Sequence, residues 1–261
     1  MNKHQPTAAQ GWFRYASPAA FLPLAATLIP VFALLALALT GAGLALGFLV
    51  APTDHQQGDA YRIIFLHVPA AWMSMVIYLA LAFWAGVGLV FNTRLASMLA
   101  SALAPTGALF TVLALWTGAL WGKPTWGAWW VWDARLTSEL ILLFLYLGFI
   151  GLQAAIDDPR RADRAGAVLA LVGVVNVPVI YFSVKWWNTL HQGASISVSK
   201  GSSMASIMLV ALLLTALGFW AYSISVALAR VRCIVLERER KGEWIRQSLF
   251  ERAGNDLAKL G

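Results

Sequence analysis

Trp121-Gly122-Lys123-Pro124-Thr125-Trp126-Gly127-Ala128-Trp129-Trp130-Val131-Trp132-Asp133-Ala134-Arg135-Leu136-Thr137 places five tryptophans between 121 and 132, with an acid and then a base close behind them. Apolar runs lie on both sides, so the stretch is a connection. Ordinary solvated connections are built from small polar residues, which satisfy turn geometry and water together. Tryptophan belongs instead at a membrane–water boundary, its ring in the apolar edge and its N–H toward water. A boundary belt accounts for one or two tryptophans per helix end. Five in so short a stretch read as an aromatic platform.

Composition gives the setting. The chain has 261 residues, 60% hydrophobic and 12% charged, against about 25% charged in a soluble domain. It is a polytopic membrane protein, one all-α bundle rather than several soluble domains. The net charge of +7 does not argue for nucleic acid, because the bases gather in short segments between apolar runs, as membrane topology requires. Cys233 is the only cysteine, which excludes intrachain disulfides and cysteine metal clusters. The first apolar run is too long for the core of a cleaved signal, so it is expected to be a span.

About twenty apolar residues cross a bilayer as helix. Six runs qualify, at roughly 21–49, 69–91, 99–120, 138–156, 165–184 and 203–229. Three regions follow: a tail over 1–20, a six-span membrane domain over 21–229 containing the tryptophan-rich loop 121–137, and a tail over 230–261. Six spans put both termini on one side. That side collects Lys3, Arg14, Arg94, Arg160, Arg161, Arg164 and the bases from Arg230 to Lys259, whereas the other has Arg62, Lys123, Arg135, Lys185 and Lys200. The positive-inside rule makes the termini cytoplasmic and the connections 50–68, 121–137 and 185–202 extracytoplasmic. Arg230 to Arg246 reads as a helix leaving the membrane for its surface or a cytoplasmic partner, or as a solvated tail.

Four histidines are present. His4 lies in the first tail and His55 in a polar turn, neither suggesting chemistry. His67, in Phe65-Leu66-His67-Val68-Pro69, stands where the first outer connection enters the second span. His191, in Trp186-Trp187-Asn188-Thr189-Leu190-His191-Gln192-Gly193, stands in the third outer connection. Both therefore share a membrane face with the tryptophans. A single boundary histidine reads most simply as an interfacial polar residue. Two at one level, around an aromatic platform, suit the axial positions of a haem iron. Haem propionates want cations, and among Arg62, Lys123, Arg135 and Lys185 the planar fork of Arg62 and Arg135 fits a carboxylate best. A helix over 126–133 would put Trp126, Trp129, Trp130 and Asp133 on one face and turn Trp121 and Trp132 elsewhere. Plainer readings exist for the rest. Asp133 and Arg135 suit a local ion pair, Glu139 a helix-start acid favoured by the dipole, and Asn176 with Pro178 a kink or an interhelical hydrogen bond. Residues 157–164 suit a solvated inner turn.

Trp121-Gly122, Trp126-Gly127, Trp129-Trp130, Trp132-Asp133 and Arg135-Leu136-Thr137 resemble the WWD signature of the haem-handling membrane proteins of cytochrome c maturation. Six spans, one short WWD loop and flanking histidines make the chain similar to the haem exporter protein C (CcmC) family. Larger bearers of the signature, the haem lyase of the same maturation system and the system II synthase, carry more spans or large extra domains. The resemblance covers roughly 60–230. It implies His67 and His191 as axial ligands of a non-covalent, transiently held b-type haem. It implies Trp121, Trp126, Trp129, Trp130, Trp132 and Asp133 as haem platform and docking surface for the periplasmic haem chaperone CcmE. It further implies a bacterial inner-membrane location beside the ABC transporter proteins CcmA and CcmB and the small membrane protein CcmD. No nucleophile–base pair or phosphate-binding loop appears, so the chain reads as a haem-binding and transfer factor more than an enzyme, a synthase role at the haem–chaperone bond staying open. Two rival readings are a haem-translocating permease, which wants ionisable residues at mid-membrane depth, and a b-type cytochrome anchor, which usually buries its histidines within facing helices.

Overall fold

The computed structural model describes residues 17–187, 191, 196–197, 201–202 and 204–245. Lys3, His4, Arg14, Lys200, the immediate neighbours of His191 and the tail beyond 245 lie outside the described residues. Seven helices make six crossings: α1 (Pro18–Ala45), α2 (Ile64–Phe91), α3 (Arg94–Trp126), α4 (Ala134–Ala155), α5 (Pro159–Gly173) with α6 (Asn176–Trp186), and α7 (Ser206–Arg238). A π turn at Leu46–Val50 extends α1, and a 3-10 turn at Asp59–Ile63 leads into α2. A two-residue ribbon, Ile196–Ser197 against Gly201–Ser202, is the only strand pairing among the described residues beyond one isolated bridge. The protein is a multi-pass, all-α membrane protein, as composition requires.

Several boundaries differ from the hydropathy reading. The crossing that contains α2 begins at Asp59, so His67 lies one turn inside α2 and Pro69 within its body. The helix α3 continues to Trp126, so Trp121 and Trp126 are helical. Gly127 then takes a left-handed conformation at φ 78° and its N–H closes on Lys123 O at 3.1 Å, a termination that favours glycine. Residues 128–133 are not helical, which overturns the helix expected over 126–133. At 33 residues, α3 and α7 are about 50 Å long, beyond the ~30 Å hydrocarbon layer.

Lipid offers helices no hydrophobic gain for meeting one another, so close approach at small residues does that work. The pairing of α1 with α7 shows it. A Cβ on Gly43 would stand 2.6 Å from Thr215 N and 2.8 Å from Ala211 O, and one on Gly218 2.6 Å from Thr40 N. Ser225 adds a bond to Ile29 O at 3.0 Å. The outward side of α1 is bare, with Leu37 74% exposed. Centrally, α2 packs along α3, and α4 joins them through Tyr146, which is fully buried, donates to Ser74 O at 2.7 Å and fills the space beside Gly107.

One end of the bundle is tied by ion pairs: Arg94 to Glu239 at 2.6 Å and Arg238 to both oxygens of Asp163 at 2.8 and 3.1 Å. The expected solvated turn at 157–164 is thus partly a tether. Past α7 the chain turns back, and Trp244 and buried Ile245 lie near the base of α3 and α7. The fifth crossing breaks between Gly173 and Asn176. Pro178 offers no N–H to Val174, whose carbonyl takes that of Val177 at 3.1 Å instead. Asn176 meanwhile donates to Ser138 O of α4 at 2.8 Å, the interhelical bond expected of it.

Gly43→Leu should separate α1 from α7 and cost about 1–3 kcal/mol of stability. Gly41→Leu, where nothing lies within 4 Å, should leave the melting temperature in detergent at or above its original value. Equal behaviour of the two variants would overturn the small-residue account of this seam.

Candidate functional site

At the end of the bundle opposite the ion pairs, two histidines meet one cleft. His67 lies against α3 because Gly118 leaves room: a Cβ there would stand 3.0 Å from the imidazole Cε1. Its Nδ1 is 3.1 Å from Ala114 O and 3.1 Å from Thr117 Oγ1. A carbonyl can only accept, so Nδ1 carries the hydrogen and Nε2 keeps its lone pair. The Thr117 hydroxyl donates to Leu113 O at 2.6 Å, leaving its oxygen able to receive from His67. Trp121 meets the imidazole edge-on at 5.8 Å and ties its own Nε1–H to Gln57 Oε1 at 2.8 Å. Trp121, expected to point elsewhere, therefore supports His67.

His191 is held by the other side of the loop. Asp133 is the N-cap of α4, its Oδ1 accepting from Leu136 N at 2.8 Å. Its Oδ2 stands 3.2 Å from His191 Nδ1 and accepts that hydrogen. Here too Nε2 is the other nitrogen, and it bonds no described residue. Trp126 packs edge-on against the His191 ring at 4.8 Å. Burial first, and then the Arg135 guanidinium, hold His191 below the ordinary imidazole range, with Asp133 opposing them. Its neutral form therefore predominates at neutral pH.

The cleft between these histidines opens outward, with about 450 Å³ of space counted through its mouth, and its other walls include Ala71, Ala114, Leu136, Ile180 and the polar pair Arg135 and Glu139. The Arg135 side chain has no hydrogen bond or ion pair with any described residue. The expected ion pair with Asp133 does not form, because that carboxylate is engaged by Leu136 and His191. Glu139, expected as a helix-start acid, is instead 7% exposed and accepts from Ser74 Oγ of α2 at 2.7 Å. Its place one turn beyond Arg135 is the signal that could have assigned it to the cleft.

The remaining expected residues lie apart from the cleft. Arg62 bonds Asp59 Oδ1 at 2.9 Å and Gly47 O at 2.7 Å, bracing the end of α1. Trp129 is 55% exposed with Lys123 Nζ 5.9 Å from its ring centre, and Trp132 is 75% exposed. Trp130 packs on Trp132 at 5.3 Å, with its Nε1 buried and unbonded. Of the five tryptophans, Trp126 lines the cleft, Trp121 backs a histidine, and three form an outer aromatic rim.

No group of three or more His, Cys, Asp or Glu among the described residues is placed to hold a bare metal ion. A metal here must bring most of its own donors. Two neutral imidazoles with free Nε2 atoms, an apolar cleft wall and an unpaired arginine suit a planar metal chelate bearing acid groups, and haem fits that description.

Comparison with known proteins places the chain in a family. The family model described as Heme exporter protein C matches residues 11–246. Heme exporter protein C of Escherichia coli K12 is 48% identical over 224 residues, 86% of this chain and 90% of the relative. The protein of that name from Haemophilus influenzae is 47% identical over 232 residues, covering 89% and 94%. A putative cytochrome c biosynthesis ccmC-like mitochondrial protein from Marchantia polymorpha is 44% identical over 198 residues, covering 76% and 84%. With that match spanning nearly the whole bundle, the chain belongs to the Heme exporter protein C family.

Proposed function

We propose that this protein binds haem between His67 and His191 at the outer face of the bacterial inner membrane and presents it for covalent attachment to the chaperone CcmE. The observation that carries the reading is the shared tautomer. Each imidazole gives its Nδ1–H to an oxygen acceptor on another element, Ala114 O for His67 and Asp133 Oδ2 for His191, leaving both Nε2 atoms for iron. Such outer partners fix ring orientation and raise ligand basicity. The names of the relatives, which speak of haem export and cytochrome c biosynthesis, support a role in haem handling.

When bound, haem supplies the iron and the reactive vinyl edge. The chain's part is positioning and electrostatics. His67 and His191 are the residues that would hold the iron, each through its Nε2. Arg135 is the propionate partner within the cleft, with Arg62 the second candidate. Trp126 and Trp121 stiffen the two imidazoles, while Trp129, Trp130 and Trp132 offer the chaperone an aromatic landing surface. Haem is held without a covalent bond and only in transit. By the positive-inside rule the end with Arg160, Arg161, Arg164 and Arg238 faces the cytoplasm, where CcmA, CcmB and CcmD would complete an ABC-type exporter. The protein acts as a transfer factor more than an enzyme, a synthase role at the haem–chaperone bond being the alternative.

His67→Ala and His191→Ala should each abolish the low-spin, two-imidazole absorption spectrum of the haem-loaded protein. An unchanged spectrum in both variants would sink the site and leave the loop as a docking surface alone.

Asp133→Asn separates two roles. An asparagine caps a helix about as well, but its single side-chain oxygen cannot serve Leu136 N and His191 together. Haem affinity should fall about 10–100-fold while the melting temperature of the apoprotein stays within a few degrees.

Protons compete with iron for His191, whose value lies below the ordinary one. Haem affinity should be level from alkaline pH down through about 6.5, the unperturbed imidazole value, and fall at lower pH. The stability that neutral His191 gives the fold is complete above that unfolded value and lost as pH drops through the folded one. Arg135→Gln, removing a repelling cation, should move the fall to higher pH in a spectroscopic titration.

A further inference from the structure

A second cavity lies at the other end of the bundle, about 36 Å along α2 from His67, where the chain turns from α2 into α3. It is open to the outside, with about 800 Å³ of space counted through its mouth, and is lined by Asn92, Thr93, Arg94, Ser97, Arg160 and Arg164 together with Asp163. Its charges are unequally engaged. Asp163 is paired with Arg238, and Arg94 with Glu239. Arg160 and Arg164, one turn apart on α5, have no ion pair or side-chain hydrogen bond with any described residue. The helix α3 starts at this cavity without a side-chain cap, and the buried Thr93 Oγ1 has no hydrogen-bond partner. Two unmatched guanidinium groups and an open helix start line one space, and the unpartnered Thr93 hydroxyl lies covered beside it. The walls beside it are lipid-facing: Phe91 is 70% exposed at the end of α2, and Val168 is 55% exposed on α5.

We infer that this cavity binds the phosphate of an anionic phospholipid, whose acyl chains lie along Phe91 and Val168. Guanidinium forks suit phosphate oxygens in paired contacts. The free N–H groups and dipole of a helix start add to the attraction. Basic pockets between spans at this depth take anionic lipid headgroups. Positive-inside topology requires bases near this end, but it does not require two unpaired ones in one cavity with an uncapped helix start. The apolar flanks favour a lipid phosphate over a soluble one.

The test uses the full-length protein, delipidated in a non-ionic detergent. Dioleoyl phosphatidylglycerol, dioleoyl phosphatidylcholine and inorganic phosphate are titrated separately, read by melting temperature and by native mass spectrometry of retained lipid. Phosphatidylglycerol should raise the melting temperature saturably and remain bound. Phosphatidylcholine and inorganic phosphate should do neither. Arg160→Gln with Arg164→Gln should weaken the phosphatidylglycerol response at least tenfold, and the double Arg→Lys variant should restore part of it. Arg161→Gln, on the same helix but outside the cavity, should respond as the parent does. Equal stabilisation by phosphatidylcholine, full stabilisation by inorganic phosphate, an unaffected double glutamine variant, or an Arg161→Gln loss as large as that of the pair would each overturn the assignment.

Discussion

Close approach between helices that gain nothing by hiding apolar groups from one another is the constraint on which this structure depends. In lipid, packing and internal hydrogen bonds must hold the spans together, and the glycines of α3 show how far that reaches. Gly107 admits the Tyr146 ring, whose hydroxyl bonds Ser74 O. Ser74 Oγ in turn donates to Glu139 in the cleft. About three turns further along α3, Gly118 admits the His67 imidazole, and the carbonyl of Ala114 sets its tautomer. Packing in the membrane and chemistry at its edge are settled along one helix by residues that lack a side chain.

The loop after α3 solves a different problem, that of holding a histidine from a long connection. Asp133 does so because a carboxylate has two oxygens. One begins α4, and the other orients His191. Starting a helix and orienting His191 thereby become one structural event, and Gly127, by ending α3, leaves Trp126 at the cleft while Trp129, Trp130 and Trp132 form the outer rim. The two imidazoles consequently differ in support: α3 alone backs His67, whereas His191 is held by Asp133 at the start of α4 as well as by Trp126 of α3.

Much of this is legible in the amino-acid order. The six crossings follow from the length of the apolar runs, and the shared face of His67, His191 and the tryptophan loop follows from counting them. Local backbone geometry is less legible. A period of three and four among Trp126, Trp129, Trp130 and Asp133 mimics a helical face, but Gly127 in a left-handed conformation outweighs that pattern and breaks it into a helix end, an extended link and a cap. Pairing between distant residues leaves no local trace either. Nothing near Arg62 announces Gly47 O, and nothing near Trp121 announces Gln57. Glu139 reads as an ordinary helix-start acid until Ser74 of another span meets it.

The separate supports of His67 and His191 have a thermodynamic consequence. Any guest that engages both free nitrogens spans the seam between the α2–α3 pair and the α4 side of the bundle. Its binding energy then becomes cohesion between those parts, in proportion to its free concentration, at about 2.7 kcal/mol when that is a hundred times the dissociation constant. A guest held that way would tighten the bundle, and its departure would loosen the same seam.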